Sequence, residues 1–228
     1  MSEKKRGPII AVDGPSGVGK STVSRLLALR LGLTYINTGV MYRALALGAA
    51  ESGVDPADDE AVQGYCSKAV LSYDLDTHDT LVNGASYASR LREQRTGELA
   101  SVFSVKKPVR ALLTGFQRSL GTTGSIVMEG RDIGTVVFPD ADAKIFLDAS
   151  HEVRAKRRHK EVTGGALHTA EEVSKELLQR DERDSGRPTD PLKKAEDAVL
   201  IDTGAMNAEE VVDRIVEVLR DKGISIKP

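Results

Sequence analysis

Two rhythms of hydrophobic and polar positions divide the chain. Pro8-Ile-Ile-Ala-Val-Asp13 is a short continuous apolar run, the mark of a strand buried on both faces, and Ser21 to Leu31 follows with apolar residues at helical spacing. Similar runs recur at Leu33-Thr-Tyr-Ile-Asn37, Ser125-Ile-Val-Met-Glu129, Ala143-Lys-Ile-Phe-Leu-Asp148 and Ala198-Val-Leu-Ile-Asp202. Helical stretches separate them: Thr38 to Ala50, one opening on Asp55-Pro-Ala-Asp-Asp-Glu60, Thr96 to Val105, Lys107 to Leu120, and Ser150 to Val162. Two more open on capping boxes, Thr169-Ala-Glu-Glu172 and Asn207-Ala-Glu-Glu210, the first running to about Gly186. The pattern predicts an α/β fold, a five-stranded parallel sheet covered by helices on both faces.

The second rhythm is strict alternation. Val70 to Asp76, Thr80 to Val82 and Ser86 to Leu91 read as short strands, and Asn83-Gly84 is a strong hairpin signal. A small antiparallel β insert is therefore expected within 62–101. The core domain would be 1–61 and 102–228, with two charged helices at about 150–187.

Composition narrows the class. With 228 residues, 40% of them hydrophobic, the chain can bury a substantial core, and no apolar run reaches membrane-spanning length. Met1-Ser-Glu-Lys-Lys-Arg6 has no apolar signal core, and the single Cys66 excludes an internal disulfide framework. A cytoplasmic protein is expected. A net charge of −2, with aromatics few and not interleaved with the basic segments, calls for no nucleic-acid polymer. No membrane partner is expected, and a monomer is. His78, His151, His159 and His168 are scattered and read as surface side chains, and Cys66 reads as an inert thiol.

Chemistry concentrates where the first strand meets the first helix. Gly14-Pro-Ser-Gly-Val-Gly-Lys-Ser-Thr22 fills the phosphate-loop pattern G-x-x-x-x-G-K-[ST]. Glycines let backbone N–H groups wrap a phosphate, Lys20 can reach the β- and γ-phosphates, and the Ser21 hydroxyl suits Mg²⁺. A mere glycine-rich turn is the bland alternative, and the strand before and helix after the loop argue against it. No Asn/Thr-Lys-x-Asp guanine-reading element follows a strand, and motors and large ATPases need more chain. A small kinase remains, and it needs further cations because donor and acceptor phosphates repel each other. Arg43 and Arg131 stand where helices or turns leave strand ends. Arg180, Arg183, Asp184 and Arg187 fall at spacings expected for one helix face. Taken alone, that cluster and Arg154-Ala-Lys-Arg-Arg158 could equally be solvated charged surface.

These runs, with Thr38-Gly-Val-Met-Tyr-Arg43 and Gly130-Arg-Asp-Ile-Gly-Thr135, resemble the bacterial cytidylate kinase family over nearly the whole chain. The resemblance implies ATP and CMP or dCMP as substrates, with Mg²⁺. Gly14, Pro15, Ser16, Gly17, Val18, Gly19, Lys20, Ser21 and Thr22 would bind ATP, and Arg154, Arg157 and Arg158 would belong to a lid that closes over it. Arg43, Arg131 and Arg187 match positions holding the CMP phosphate, and Ser101, Arg110 and Asp132 those reading cytosine. Arg180 and Asp184 match contacts to the sugar hydroxyls, and Tyr42 and Thr38 line the same pocket. Lys20, Arg131 and Arg187 would carry catalysis, without a covalent intermediate. Two positions depart from the family pattern: Asn37, where an acid often precedes the Thr-Gly, and Glu129, where Asp is common. Glu129 could still hold a Mg²⁺-bound water. Another small kinase, for UMP, AMP or a shikimate-type acceptor, and an ATP-sensing protein without catalysis remain alternatives.

Overall fold

The computed structural model describes residues 6–91, 93–162 and 169–224, so the first five residues of the polar tail and His168 lie outside it. The chain divides into two compact units: one built from residues up to Ile36 and from Gly121 onward, the other from Asn37 to Leu120.

The first unit carries the parallel sheet. Its strands are β1 (Ile9–Asp13), β2 (Thr34–Asn37), β6 (Ile126–Glu129), β7 (Ala143–Asp148) and β8 (Val199–Asp202), in spatial order β2-β6-β1-β7-β8. β1 lies centrally, paired in parallel with β6 (Val12 opposite Glu129) and with β7 (Val12 opposite Ile145). The apolar runs are strands for the expected reason: Ile10, Val12, Val127, Ile145 and Leu147 are all buried. On one face they meet Val23 and Leu27 of α1 (Lys20–Leu31) and Val211, Val212, Ile215 and Leu219 of α8 (Ala208–Asp221). Asn207 caps α8 although the usual box has Ser or Thr. Its side chain accepts from the amides of Glu209 and Glu210, and Glu210 returns a bond to its backbone.

Two charged helices complete this unit, α6 (His151–Val162) and α7 (Ala170–Gly186). Thr169 and Glu172 form the reciprocal capping box expected at the start of α7. One expectation fails at its end. Arg187 does not continue the helical face of Arg180 and Asp184 but turns extended, at φ −65° and ψ 140°. Pro188 disfavours helical geometry in the residue before it, so the helix stops at Gly186. Val136-Val-Phe138 is β-rich in composition but forms no strand. Ile133–Val137 is instead a π-helical turn, with Phe138 N donating to Ile133 O at 2.7 Å.

The second unit holds α2 (Thr38–Glu51), α3 (Asp59–Cys66), α4 (Gln94–Phe103), α5 (Lys107–Leu120) and the antiparallel sheet β3 (Leu71–Asp74), β4 (Asp79–Val82), β5 (Ala85–Ser86). The expected insert, 62–101, lies wholly inside it. β5 is shorter than its sequence pattern suggests. Tyr87 and Leu91 are both buried and flank the 3-10 turn Ala88–Arg90 that replaces the strand.

Candidate active site

The phosphate loop owes its shape to close backbone contacts. Gly14 has φ +146°, and a Cβ there would lie 2.1 Å from the Leu147 carbonyl oxygen of β7. Gly17 has φ +82°, and its Cβ would lie 2.9 Å from the Arg154 carbonyl oxygen. Neither position admits a side chain. α1 begins at Lys20, so the loop ends on the first free amides of a helix, where anions are favoured. Lys20 is buried, and its ammonium donates to the Pro15 carbonyl at 2.6 Å. Burial and then the Arg131 charge push its pKa well below the ordinary lysine value, against the opposing pull of Glu129 and Asp13. The Ser21 hydroxyl group sits on an exposed first turn.

The end of β6 supplies the next layer. Glu129 is buried and accepts from the Tyr35 hydroxyl at 2.5 Å. Arg131 Nε donates to Asp184 Oδ2 at 2.9 Å, and Arg180 Nε lies 3.9 Å from the same oxygen. Burial tends to raise the Asp184 pKa, but the charges of Arg131, Arg180 and Arg187 prevail and hold it below the usual carboxylate range. Arg187 Nη2 lies 3.7 Å from Asp132 Oδ1, and its Nε donates to Asp190 O at 2.5 Å. Arg131, Asp132, Arg180, Asp184 and Arg187 therefore form one charged group, although they come from two stretches about fifty residues apart in sequence.

The three arginines of α6 separate by role. Arg154 is buried, donating from Nε to Ala149 O at 3.1 Å and from Nη1 to Ser16 O at 3.2 Å and Asp181 Oδ2 at 2.5 Å. It thus fastens the phosphate loop to α7. Arg157 donates to both the hydroxyl and carbonyl oxygens of Thr203, at 2.9 and 2.6 Å, and the Thr203 hydroxyl donates on to Val18 O at 3.1 Å. Arg158 makes an i,i+3 pair with Glu161 at 3.1 Å.

The second unit positions the remaining candidates. Thr38 opens α2 and is buried, with Asn37 as the N-cap accepting from Val40 N at 3.3 Å. The departure at Asn37 thus has a local use, since an amide oxygen caps a helix as well as a carboxylate does. Tyr42 and Arg43 follow on the first turns of α2, half-buried. Ser101, on α4, is buried, and Arg110, on α5, is 2% exposed. The Arg110 guanidinium lies 5.9 Å from the Tyr42 ring centroid and donates to Ser104 O at 3.5 Å.

Sequence reading passed over Asp13, Asp181 and Thr203. Asp13 is the most informative: it accepts from Ile133 N at 2.8 Å and Gly134 N at 2.7 Å. Burial pushes its carboxyl up to about 6, against those two amide bonds. Its signal was visible, an acid closing an apolar strand immediately before the first loop glycine. Among the described residues no three His, Cys, Asp or Glu side chains cluster as a metal cage. A hydroxyl and a carboxylate, Ser21 and Glu129, are hard oxygen donors of the kind a hydrated Mg²⁺ accepts when phosphates supply the other ligands. Among the described residues no helix is long and apolar enough to cross a membrane. Burial pushes the Cys66 thiol pKa up, as suits an inert cysteine.

Comparison with known proteins follows the same lines. Residues 10–221 match the family model described as cytidylate kinase. The chain is 42% identical over 222 residues to the cytidylate kinase of Citrifermentans bemidjiense, covering 96% of this chain and 95% of that one. It is 45% identical over 214 residues to that of Thermosipho melanesiensis, covering 93% and 97%. Among solved structures, an uncharacterized protein from Eubacterium ventriosum superposes with a TM-score of 0.52 at 12% identity, over 95% of this chain and 99% of that one. Shikimate kinase from Bacteroides thetaiotaomicron gives 0.50 at 12% identity, over 93% and 98%. At such identities the likeness shows the fold alone.

Proposed function

The chain belongs to the cytidylate kinase family, and on that premise we propose that it transfers the γ-phosphate of ATP to CMP or dCMP, giving ADP and CDP or dCDP. The observation that carries the reading is the density of positive charge around the phosphate loop. Arg131 and Arg180 lie close enough to Lys20 to depress its pKa, an arrangement that a polyanionic ligand relieves.

In this reading the loop amides from Gly14 to Thr22 hold the donor phosphates, and Lys20 exchanges its bond to Pro15 for one to a phosphate oxygen. Arg43, Arg131 and Arg187 bind the acceptor phosphate, and Ser101, Arg110 and Asp132 read the base. A cytosine edge offers an amino donor beside ring acceptors, so a carboxylate together with donors distinguishes it. Arg180 and Asp184 take the sugar hydroxyls, Tyr42 and Thr38 line the acceptor pocket, and Arg154, Arg157 and Arg158 serve the ATP side. Ser21 would hold Mg²⁺, with Glu129 acting through a water, and the bound ion supplies neutralisation of phosphate charge. Lys20, Arg131 and Arg187 stabilise the transferring group, and transfer is direct and in line, by positioning and electrostatics.

A coupled ADP-release assay across CMP, dCMP, UMP, AMP and shikimate tests the reading. Turnover led by CMP or dCMP is expected. Preference for another acceptor would assign a different small kinase, and ADP formation that no acceptor stimulates would leave an ATP-binding protein.

A further inference from the structure

The β1–β6 ladder runs out just where chemistry begins. Gly130 N donates to Val12 O at 3.0 Å, and beyond it the chain leaves the sheet through Arg131 and Asp132. Asp13 takes over from the ladder with its side chain: Oδ1 accepts from Ile133 N and Oδ2 from Gly134 N, across about 120 residues of sequence. Each of two adjacent amides meets its own oxygen of one short carboxylate, a pairing that an asparagine in the same pose does not repeat. An asparagine would offer one oxygen and set an NH₂ against the other amide. The arrangement is costly to keep as an anion, because Asp13 is buried and Asp132 adds like charge nearby, and burial outweighs the relief from the two amides and the Lys20 charge. A group needed only to satisfy a turn could be had without burying a charge beside the phosphate loop.

We propose that Asp13 is a positioning residue. Its carboxylate latches the Gly130–Gly134 turn to the end of the phosphate-loop strand and thereby fixes Arg131 and Asp132 relative to Lys20. The latch itself is a matter of geometry; its effect on the acceptor rests on the kinase reading.

Two measurements on the full chain separate these parts. Amide hydrogen exchange followed by NMR in Asp13→Asn should show the Ile133 and Gly134 amides exchanging at least about tenfold faster, with β6 and β7 amides unchanged. Unchanged exchange at both amides would overturn the latch, whatever the enzyme's substrate. In steady-state assays the same variant should raise the CMP KM by roughly tenfold or more while leaving the ATP KM within about twofold, as a displaced acceptor clamp requires. Introduced into Arg131→Ala, it should add less than about twofold, because both changes act on one element. Equal shifts for both substrates, or full additivity, would reduce Asp13 to a structural residue. Should Asp13→Asn fail to fold, Gly134→Ala perturbs the latch from the other side. Its new Cβ would lie 3.4 Å from Asp13 Oδ2 and 3.2 Å from the Lys144 stem. The same CMP-selective shift, smaller in size, is expected there, and an equal effect on both substrates would again overturn the proposal.

Discussion

Arg131 in the first unit and Arg110 in the second sit in different surroundings. Arg131 is clamped by a carboxylate, its Nε donating to Asp184 at 2.9 Å, within a group of acids and arginines. Arg110 is almost wholly buried beside the Tyr42 ring and a backbone carbonyl. On the proposed kinase reading, the difference matches the task each would have. A cation that meets phosphate gains from a carboxylate that fixes its direction and leaves its remaining N–H groups presented. A cation that reads a neutral base edge needs a dry, shaped surround, where a missing hydrogen bond is felt most.

Breaking each side of this contrast gives effects of graded size. Lys20→Ala should lower kcat by about 10³-fold or more, with the thermal midpoint nearly unchanged, since the loss is of transferred-charge stabilisation. A variant that unfolds instead would show Lys20 to be part of the core. Asp184→Ala strands Arg131 among other cations, and chemical denaturation should register a loss of roughly 2–4 kcal/mol. Arg110→Met keeps much of the buried volume and removes the donors. The ratio of CMP to UMP kcat/KM should fall by about 10–100-fold, and an unchanged ratio would remove Arg110 from base recognition.

Titration gives a further test on the first unit alone. The Asp13 carboxyl titrates near 6 when folded, against an ordinary value of 3.8. Between those values the folded protein binds the extra proton, so this group's contribution is fully present below 3.8 and is lost as pH rises through 6. The stability of the unliganded protein relative to Asp13→Asn should therefore fall across that window, by about 1–3 kcal/mol. A difference that stays flat from pH 4 to 7 would contradict the raised value. The smallest effect belongs to Arg158, whose pair with Glu161 is solvent-exposed on the acid side. Arg158→Ala should change stability by less than about 0.5 kcal/mol. If it belongs to the ATP side, the ATP KM rises severalfold all the same.

How much of this was legible depends on how local its cause is. The five strands, the phosphate loop and both capping boxes are short-range patterns, and each lies within a residue or two of where the sequence puts it. The turn at Ile133–Val137 was not legible, because its geometry is set by the Asp13 carboxylate, about 120 residues earlier, rather than by its own β-branched residues. Arg187 was misplaced on a helical face because periodicity was extended past Gly186, although Pro188 already signalled the stop. Spacing could group Arg154, Arg157 and Arg158 as one basic stretch. It could not show that the first grips Ser16 and Asp181, the second Thr203, and the third a neighbour on its own helix.

The bond from the Lys20 ammonium to Pro15 O, at 2.6 Å, makes the loop its own competitor. Competition is for one of the ammonium's three N–H donors only, and two remain for an incoming anion. On the proposed kinase reading, the loop amides beside that lysine, Pro15 excepted, would take the donor phosphates. The lysine is thus tied into its own loop before any ligand arrives.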